Sequence, residues 1–499
     1  MELFNKFFLI NDKKFKSYGY YSTLVIITFI FSPLFLAFIF GDLNFLPLGP
    51  NESSHLNVAK SVYNGIPPYI EHFDARGPIF FYFLSLSFFF QNFLVGFHIL
   101  YFVITFISGL TCFIICEKLY GKNSALFAFV ASVFLLNQSQ HAENLIFLFL
   151  SGFIYFAFQS IKEESYINPF FSGVFMSLAV LTRFNISILA ILGLIYFLTE
   201  SKKKYQQTFV YILSGLLPLL IILFIYYLHD NGLQIFYNST VIYHLNLTQG
   251  RPFYIGIYQL FELLSTIPWI SIFVLSIFAI FFHKKISSKN LYLFLFLIAS
   301  IFATLLARKY NPHYLLVSGP FLVVLCSSII DKKILQNNKL ISIIFLITLI
   351  PLLISNIFWK AKYFYKPQNF SYFLSNILKS QINEKDKIFT SINGVYLYLN
   401  KKNFLRIVDD SHFNRWYNYK SIYGYKVSFL DEFKFALIQK PKYLIFDKNF
   451  RDQDFFKDVM KLIGQDYKIY NFYNKDKPIY RGNYRNLINS TVVYIYDDK

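Results

Sequence analysis

Charged residues are scarce in this chain of 499 residues, where they make up 15%. A soluble globular chain usually carries about 25%. The shortage leaves long uncharged runs that do not alternate in polarity as the strands of a membrane barrel would. A run of about 18 or more such residues is long enough to cross the roughly 30 Å hydrocarbon layer as a helix. The runs therefore predict membrane-spanning helices; the clearest are 22–40, 208–228, 263–282, 291–307, 314–330 and 340–358.

Cysteine and acidic residues are also few. The three cysteines lie in apolar segments, without the spacing of a metal site or the even number of a disulfide set. The 28 acidic residues are outnumbered by 47 Lys and Arg, which gives a net charge of +19. The excess sits in short loops between apolar runs, such as 202–204, 284–285 and 332–333. This is the positive-inside pattern of membrane proteins, so we expect membrane lipid and not nucleic acid as a partner.

These basic loops predict the orientation of the chain. The N-terminus, with four lysines before the first run, is expected to be cytoplasmic. Alternation from there places the loops 41–77 and 230–256, the turn 308–312 and the tail outside. About eleven crossings result, in the plasma (inner) membrane. The predicted domains are a transmembrane domain over 1–359 and a periplasmic or extracellular α/β domain over 360–499.

Two apolar regions do not divide evenly into spans. Residues 78–142 contain three apolar stretches, of which we expect one to be short, re-entrant or interfacial. Residues 168–199 form a stretch with a polar centre, which predicts a hairpin of two short helices with Arg183 between them. In the tail, strand-like runs at 387–392, 443–447 and 491–496 surround helical runs at 429–439 and 455–462. The tail contains no glycine-rich nucleotide loop, which favours a binding or lid role over catalysis.

Charges beside membrane spans are costly, so those on the predicted external side are candidate functional residues. A carboxylate can take a proton from a hydroxyl nucleophile, and cations can hold a phosphate and stabilise its departure. A lipid-phosphate-linked sugar and a hydroxyl acceptor would need both kinds of group. The predicted catalytic residues are Glu52, Asp74 and Glu143, and the predicted substrate-binding residues are Arg76, Arg183, Arg251, Arg308, Lys309, His313 and Tyr314.

At these residues the chain resembles the family 39 glycosyltransferases of the C-type superfold, which includes protein O-mannosyltransferases and aminoarabinose transferases. The resemblance rests on an acidic residue after the first span, on Gly65-Ile66-Pro67-Pro68-Tyr69, and on Asp74-Ala75-Arg76-Gly77-Pro78. It implies an α-helical polytopic membrane enzyme, a hexosyl- or pentosyltransferase that uses a polyprenyl-phosphate-linked sugar and inverts the anomeric carbon. The family carries Asp-Glu where this chain has Asn51-Glu52, so Glu52 is the expected base.

Several alternatives stay open at this point. Glu52 could be a helix-start acid, Asp74 could pair with Arg76, and Arg183 could be held in a structural ion pair. The chain as a whole could be a transporter or flippase of lipid-linked sugars, although no internal repeat of the kind common in transporters is visible. Asn51 also allows a scaffold without activity. The sugar, the acceptor (lipid, glycan or protein) and the need for a divalent metal are not determined by the sequence.

Overall fold

The computed structural model describes the chain in separate stretches: 18–40, 46, 48, 50–137, 141–162, 164–243, 288–306, 312–328, 370–379, 382–383, 385–391, 393–401, 429–446, 456–464, 467–470 and 492–496. The predicted boundary at 359 and the loops 284–285 and 332–333 lie outside these residues. Within them, the chain is an apolar helical bundle followed by a small sheet with helices.

The bundle is built from helices whose limits are set by local sequence. Asn92 caps the longest helix by accepting from the backbone N–H groups of Leu94 and Val95, and Gly121 ends it with a φ of 97°. The helices are α1 Tyr18–Phe31, α2 Pro33–Phe40, α3 Pro50–Tyr63, α4 Pro78–Ser85, α5 Phe93–Tyr120, α6 Lys122–Leu136, α7 Ala142–Lys162, α8 Ile167–Thr182, α9 Ser187–Glu200, α10 Lys204–Tyr227, α11 Gly232–Tyr237, α12 Ser288–Leu306 and α13 Gly319–Ser327.

Four of the described helices are long and apolar enough to cross a membrane: α5, α7, α10 and α12. Large apolar side chains on α10, among them Phe209, Leu220 and Phe224, are exposed. In water such a surface would be unfavourable, whereas against lipid chains it costs nothing. The described helices of 18–328 thus form a bundle that has the length and the apolar surface of membrane-spanning helices.

The two apolar regions that did not divide evenly into spans, 78–142 and 168–199, both contain short helices. In 78–142 the short element is α4, with eight residues followed by a 3₁₀ turn at Leu86–Phe89. In 168–199, the two predicted short helices are present as α8 and α9, and Arg183 lies between them in extended conformation.

The tail contains a four-stranded sheet of order β1-β2-β4-β3, in which only the β1–β2 pair is parallel. Three strands and two helices fall in the predicted runs, while β3 was not predicted. Buried Phe389, Phe433 and Phe446 pack the helices on the sheet. The elements are α14 Phe370–Lys379, β1 Ile388–Thr390, α15 Asn393–Tyr398, α16 Phe429–Ile438, β2 Tyr443–Phe446, α17 Phe456–Ile463, β3 Tyr467–Tyr470 and β4 Val492–Tyr496.

The tail contacts α3, the helix that follows the first predicted span. The Lys60 ammonium on α3 donates to Oδ1 of Asn400, just after α15, at 2.9 Å. Beside it, the rings of Phe93 and Tyr398 lie with centroids 5.2 Å apart. The same helix α3 therefore contacts the tail and carries Glu52.

Candidate active site

Glu52 lies in the first turn of α3, where Pro50 begins the helix and the helix dipole favours a negative charge. Its side chain is 19% exposed, and Oε1 lies 4.0 Å from Nε2 of His141, at the start of α7. The Tyr101 side chain of α5 is buried and interacts electrostatically with Glu52. Glu52 is thus more accessible than either of the other two predicted carboxylates.

His141 is a neutral neighbour of Glu52. Burial, together with the repulsion of positive charge on His55, Arg76 and Arg183, lowers the pKa of His141 to about 3. At neutral pH the imidazole is therefore uncharged, so its contact with Glu52 is not an ion pair. The charge of Glu52 is not neutralised by this histidine.

Asp74 is fully buried and both of its oxygens are used. Nδ1 of His55 lies 2.8 Å from Oδ2. Oδ1 accepts from the backbone N–H of Arg76 at 3.1 Å and from its guanidinium at 3.3 Å. Asp74 therefore pairs with Arg76, as the structural alternative expected. Through His55, the same carboxylate also links α3 to the segment that carries Arg76.

That segment, 74–78, is pressed against the end of α8. The backbone N–H of Gly77 donates to the carbonyl of Thr182 at 2.9 Å. A Cβ atom on Gly77 would lie 2.0 Å from the carbonyl oxygen of Leu181, so only glycine permits this approach. The Tyr69 hydroxyl also donates to the carbonyl of Arg76. The Gly65–Pro78 motifs thus hold Arg76 beside Arg183.

Arg183 forms an ion pair with Glu143 of α7. Its guanidinium carbon also lies 3.7 Å from the centre of the Tyr314 ring, a cation–π contact. The Glu143 side chain is 2% exposed and that of Arg183 is 15% exposed. A buried carboxylate needs such a partner. Arg183 is therefore held in a structural ion pair, which was the alternative to a role in substrate binding.

Six of the predicted residues converge in one place. Arg76 and Arg183 repel each other electrostatically, and both act on His141. Two partly exposed guanidinium groups that are near enough to repel each other are suited to a phosphate, although each also pairs with a carboxylate. We call this set the acid–base cluster; it consists of Glu52, His55, Asp74, Arg76, Tyr101, His141, Glu143, Arg183 and Tyr314.

The other predicted residues are not placed. Arg251, Arg308 and Lys309 lie outside the described residues, as does the side chain of His313. Their assignment to substrate binding stays a prediction.

Three members of the acid–base cluster were not selected from the sequence: His55, Tyr101 and His141. His55 follows Glu52 by three residues, which places the two one helical turn apart, so that spacing was an available signal. Tyr101 lies within a long apolar run and gave no signal. Its position near Glu52 depends on how α5 is placed relative to α3.

No metal site can be assigned here. In the described part of the chain, no three His, Cys, Asp or Glu side chains are grouped so as to hold a metal ion. Asp74 and Glu143 are each engaged by an arginine, which fits a structural role better than metal coordination.

Comparison of the whole chain with solved structures finds long matches at low identity. ArnT from Cupriavidus metallidurans bound to undecaprenyl phosphate matches with a TM-score of 0.64 and 11% identity, over 96% of this chain and 97% of that one. Its apo structure matches with a TM-score of 0.61 and 11% identity, over 93% and 96%. The apo oligosaccharyltransferase from Archaeoglobus fulgidus matches with a TM-score of 0.51 and 13% identity, over 93% and 76%.

Comparisons at the level of sequence give no match. No family model and no curated protein matches the chain. The likeness is one of three-dimensional structure, extends over nearly the whole chain, and agrees with the resemblance seen at residues 52–78. The chain thus shares the overall fold of ArnT, and its described part is largely helical and apolar.

Proposed function

We propose that this protein is a membrane glycosyltransferase that moves a sugar from a polyprenyl phosphate to an acceptor hydroxyl on the external side. One observation carries the proposal: the partly exposed Glu52 contacts His141, on which the guanidinium groups of both Arg76 and Arg183 act electrostatically. Undecaprenyl phosphate in the similar structure of ArnT supports the class of donor. The fold supports a transferase over a transporter.

The chemistry requires one proton acceptor and one anion site. The Glu52 carboxylate takes the proton of the acceptor hydroxyl, whose oxygen forms a bond to the anomeric carbon. The bond from that carbon to the phosphate oxygen breaks on the opposite face, so the configuration inverts. Arg76 and Arg183 stabilise the charge on the departing polyprenyl phosphate. The products are the glycosylated acceptor and the free lipid phosphate.

The donor class is tested by direct binding. We expect the purified protein in detergent to bind undecaprenyl phosphate, and Arg76→Gln to weaken this binding about tenfold, the scale of one lost charge-assisted hydrogen bond. Arg76→Lys should restore it only in part because the two-pronged geometry is lost. Lys118→Gln, at the last turn of α5, is the matched control. Absence of binding by the folded wild-type protein would contradict the donor class.

The external position of the tail is a separate prediction. The basic loops place the C-terminus on the side opposite the Lys202–Lys204 loop. An alkaline phosphatase joined after residue 499 should be active in cells, since it folds only outside the cytoplasm. A fluorescent reporter that requires the cytoplasm should be dark at the same position. The reverse result would place the acid–base cluster on the cytoplasmic side.

A further inference from the structure

A polar cleft lies between α3 and the tail, apart from the acid–base cluster. Its volume is about 300 Å³, which is within the range of small-ligand sites. One wall is α3 with the segment that follows it, and the other is the turn after α15. Ile66 is the one aliphatic side chain of the lining; the polar lining includes Lys60, Asn64, Glu71, His72, Asn400 and Lys401.

The cleft is a different place from the site of proton transfer. Asn57, Lys60 and Ser61 recur at helical spacing and share one face of α3, and Asn64 follows directly after the helix. At 3.6 residues per turn, this face is roughly 130° round the helix from Glu52, and Lys60 is about 12 Å further along the axis. A group bound in the cleft cannot itself be the hydroxyl that reacts at Glu52.

Lys60 is the residue that indicates the ligand. Its ammonium is partly buried and donates to the neutral amide oxygen of Asn400, and no described carboxylate forms an ion pair with it. Burial lowers the pKa of Lys60. A buried charge is stable when it is paired, so this ammonium would gain from an anion.

The carboxylate in the lining, that of Glu71, is engaged by neighbours within the lining. Glu71 accepts a hydrogen bond from the Ser61 hydroxyl at 2.7 Å, and His72 lies 3.9 Å from the same oxygen. On the opposite wall, Lys401 donates to the carbonyl oxygen of Asn383 at 2.7 Å. With two lysines and one engaged carboxylate, the lining is net positive, and its amides offer both donors and acceptors for hydroxyl groups.

We propose that this cleft binds an anionic sugar of the acceptor, one that carries a carboxylate or a phosphate and lies away from the reacting hydroxyl. The inference rests on the proposed function, because it assigns the ligand to the acceptor. Lys60 and Lys401 bind the oxyanion, while the asparagines bind ring hydroxyls. Since Lys60 and Asn400 come from the two walls, the tail has to be docked on α3 for the acceptor to bind.

The test uses the purified full-length protein and three probes: methyl glucuronoside, glucose 6-phosphate and the neutral methyl glucoside. Binding is measured by calorimetry or saturation-transfer NMR. We expect at least one anionic probe to bind at least tenfold more tightly than the neutral one. Lys60→Met should abolish this preference and Lys60→Arg should keep it, with Lys118→Met as the matched control. Whichever anionic probe binds identifies carboxylate or phosphate as the group recognised.

Undecaprenyl phosphate binding is measured on the same samples, and it separates the two proposals. Equal binding of all three probes, or unchanged binding by Lys60→Met, overturns the cleft assignment. If no anionic sugar binds while undecaprenyl phosphate does, this inference fails and the proposed function stands. If Lys60-dependent sugar binding occurs without undecaprenyl phosphate binding, the proposed function fails, and the assignment of the ligand to the acceptor fails with it.

Discussion

Glu52→Gln is expected to lower sugar transfer by roughly 10²–10⁴-fold, the usual contribution of a general base. The glutamine keeps the size of the side chain and its hydrogen bonds but cannot accept a proton at neutral pH. Release of polyprenyl phosphate from a labelled donor is the measurement. Binding of the lipid phosphate should persist, because Arg76 and Arg183 are unchanged. His141 is neutral, so removing the charge of Glu52 breaks no ion pair with it.

A matched control and two rival variants make this result interpretable. Glu164→Gln changes a carboxylate that is 60% exposed and pairs with Lys203, so transfer should be unaffected. If Glu52→Gln keeps its turnover while Asp74→Asn loses it, the base must be reassigned to the His55–Asp74 pair. If Glu52→Gln, Asp74→Asn and Glu143→Gln all keep turnover, carboxylate-assisted transfer is wrong. A helix-start role for Glu52 would show only as about 1 kcal/mol of lost stability.

Features that depend on residues close together in the sequence were predictable. The break between α8 and α9 follows from an apolar stretch that is too long for one span and polar in its centre. The strands at 388–390, 443–446 and 492–496 follow from short β-branched and aromatic runs. By contrast β3, Tyr467–Tyr470, has a short and mixed sequence, and its conformation depends on pairing with β4.

Contacts between distant segments were not predictable. His55 and Asp74 are 19 positions apart, and Arg183 and Glu143 are 40 apart. Asp74, Glu143 and Arg183 were candidates because of their residue types, but whether each carboxylate would be accessible or paired depends on how α3, α7 and α8 pack. The sequence does not distinguish the three predicted carboxylates. In the structure, Glu52 is the most exposed of them, whereas Asp74 and Glu143 are buried and paired with basic side chains.

Arg183→Gln is expected to destabilise the protein by roughly 3–5 kcal/mol, the usual cost of removing one partner from a buried ion pair. The buried Glu143 carboxylate would lose the guanidinium that neutralises it, and the contact of Arg183 with Tyr314 would also be lost. The double variant Arg183→Gln/Glu143→Gln should recover most of the loss, since neither charge remains. Thermal unfolding in detergent measures this. The matched control is the exposed pair of Lys203 and Glu164, where each single change should cost about 0–1 kcal/mol.

The same double variant separates a structural role of Arg183 from a role in binding the donor. Because its fold is restored, a loss of undecaprenyl phosphate binding cannot be attributed to unfolding. If Arg183 holds the phosphate together with Arg76, the double variant should bind at least tenfold more weakly than the wild type, while Glu143→Gln alone keeps its affinity. If the double variant is stable and binds like the wild type, Arg183 serves only to neutralise Glu143. The phosphate site would then have to be sought around Arg76 and residues 308–314.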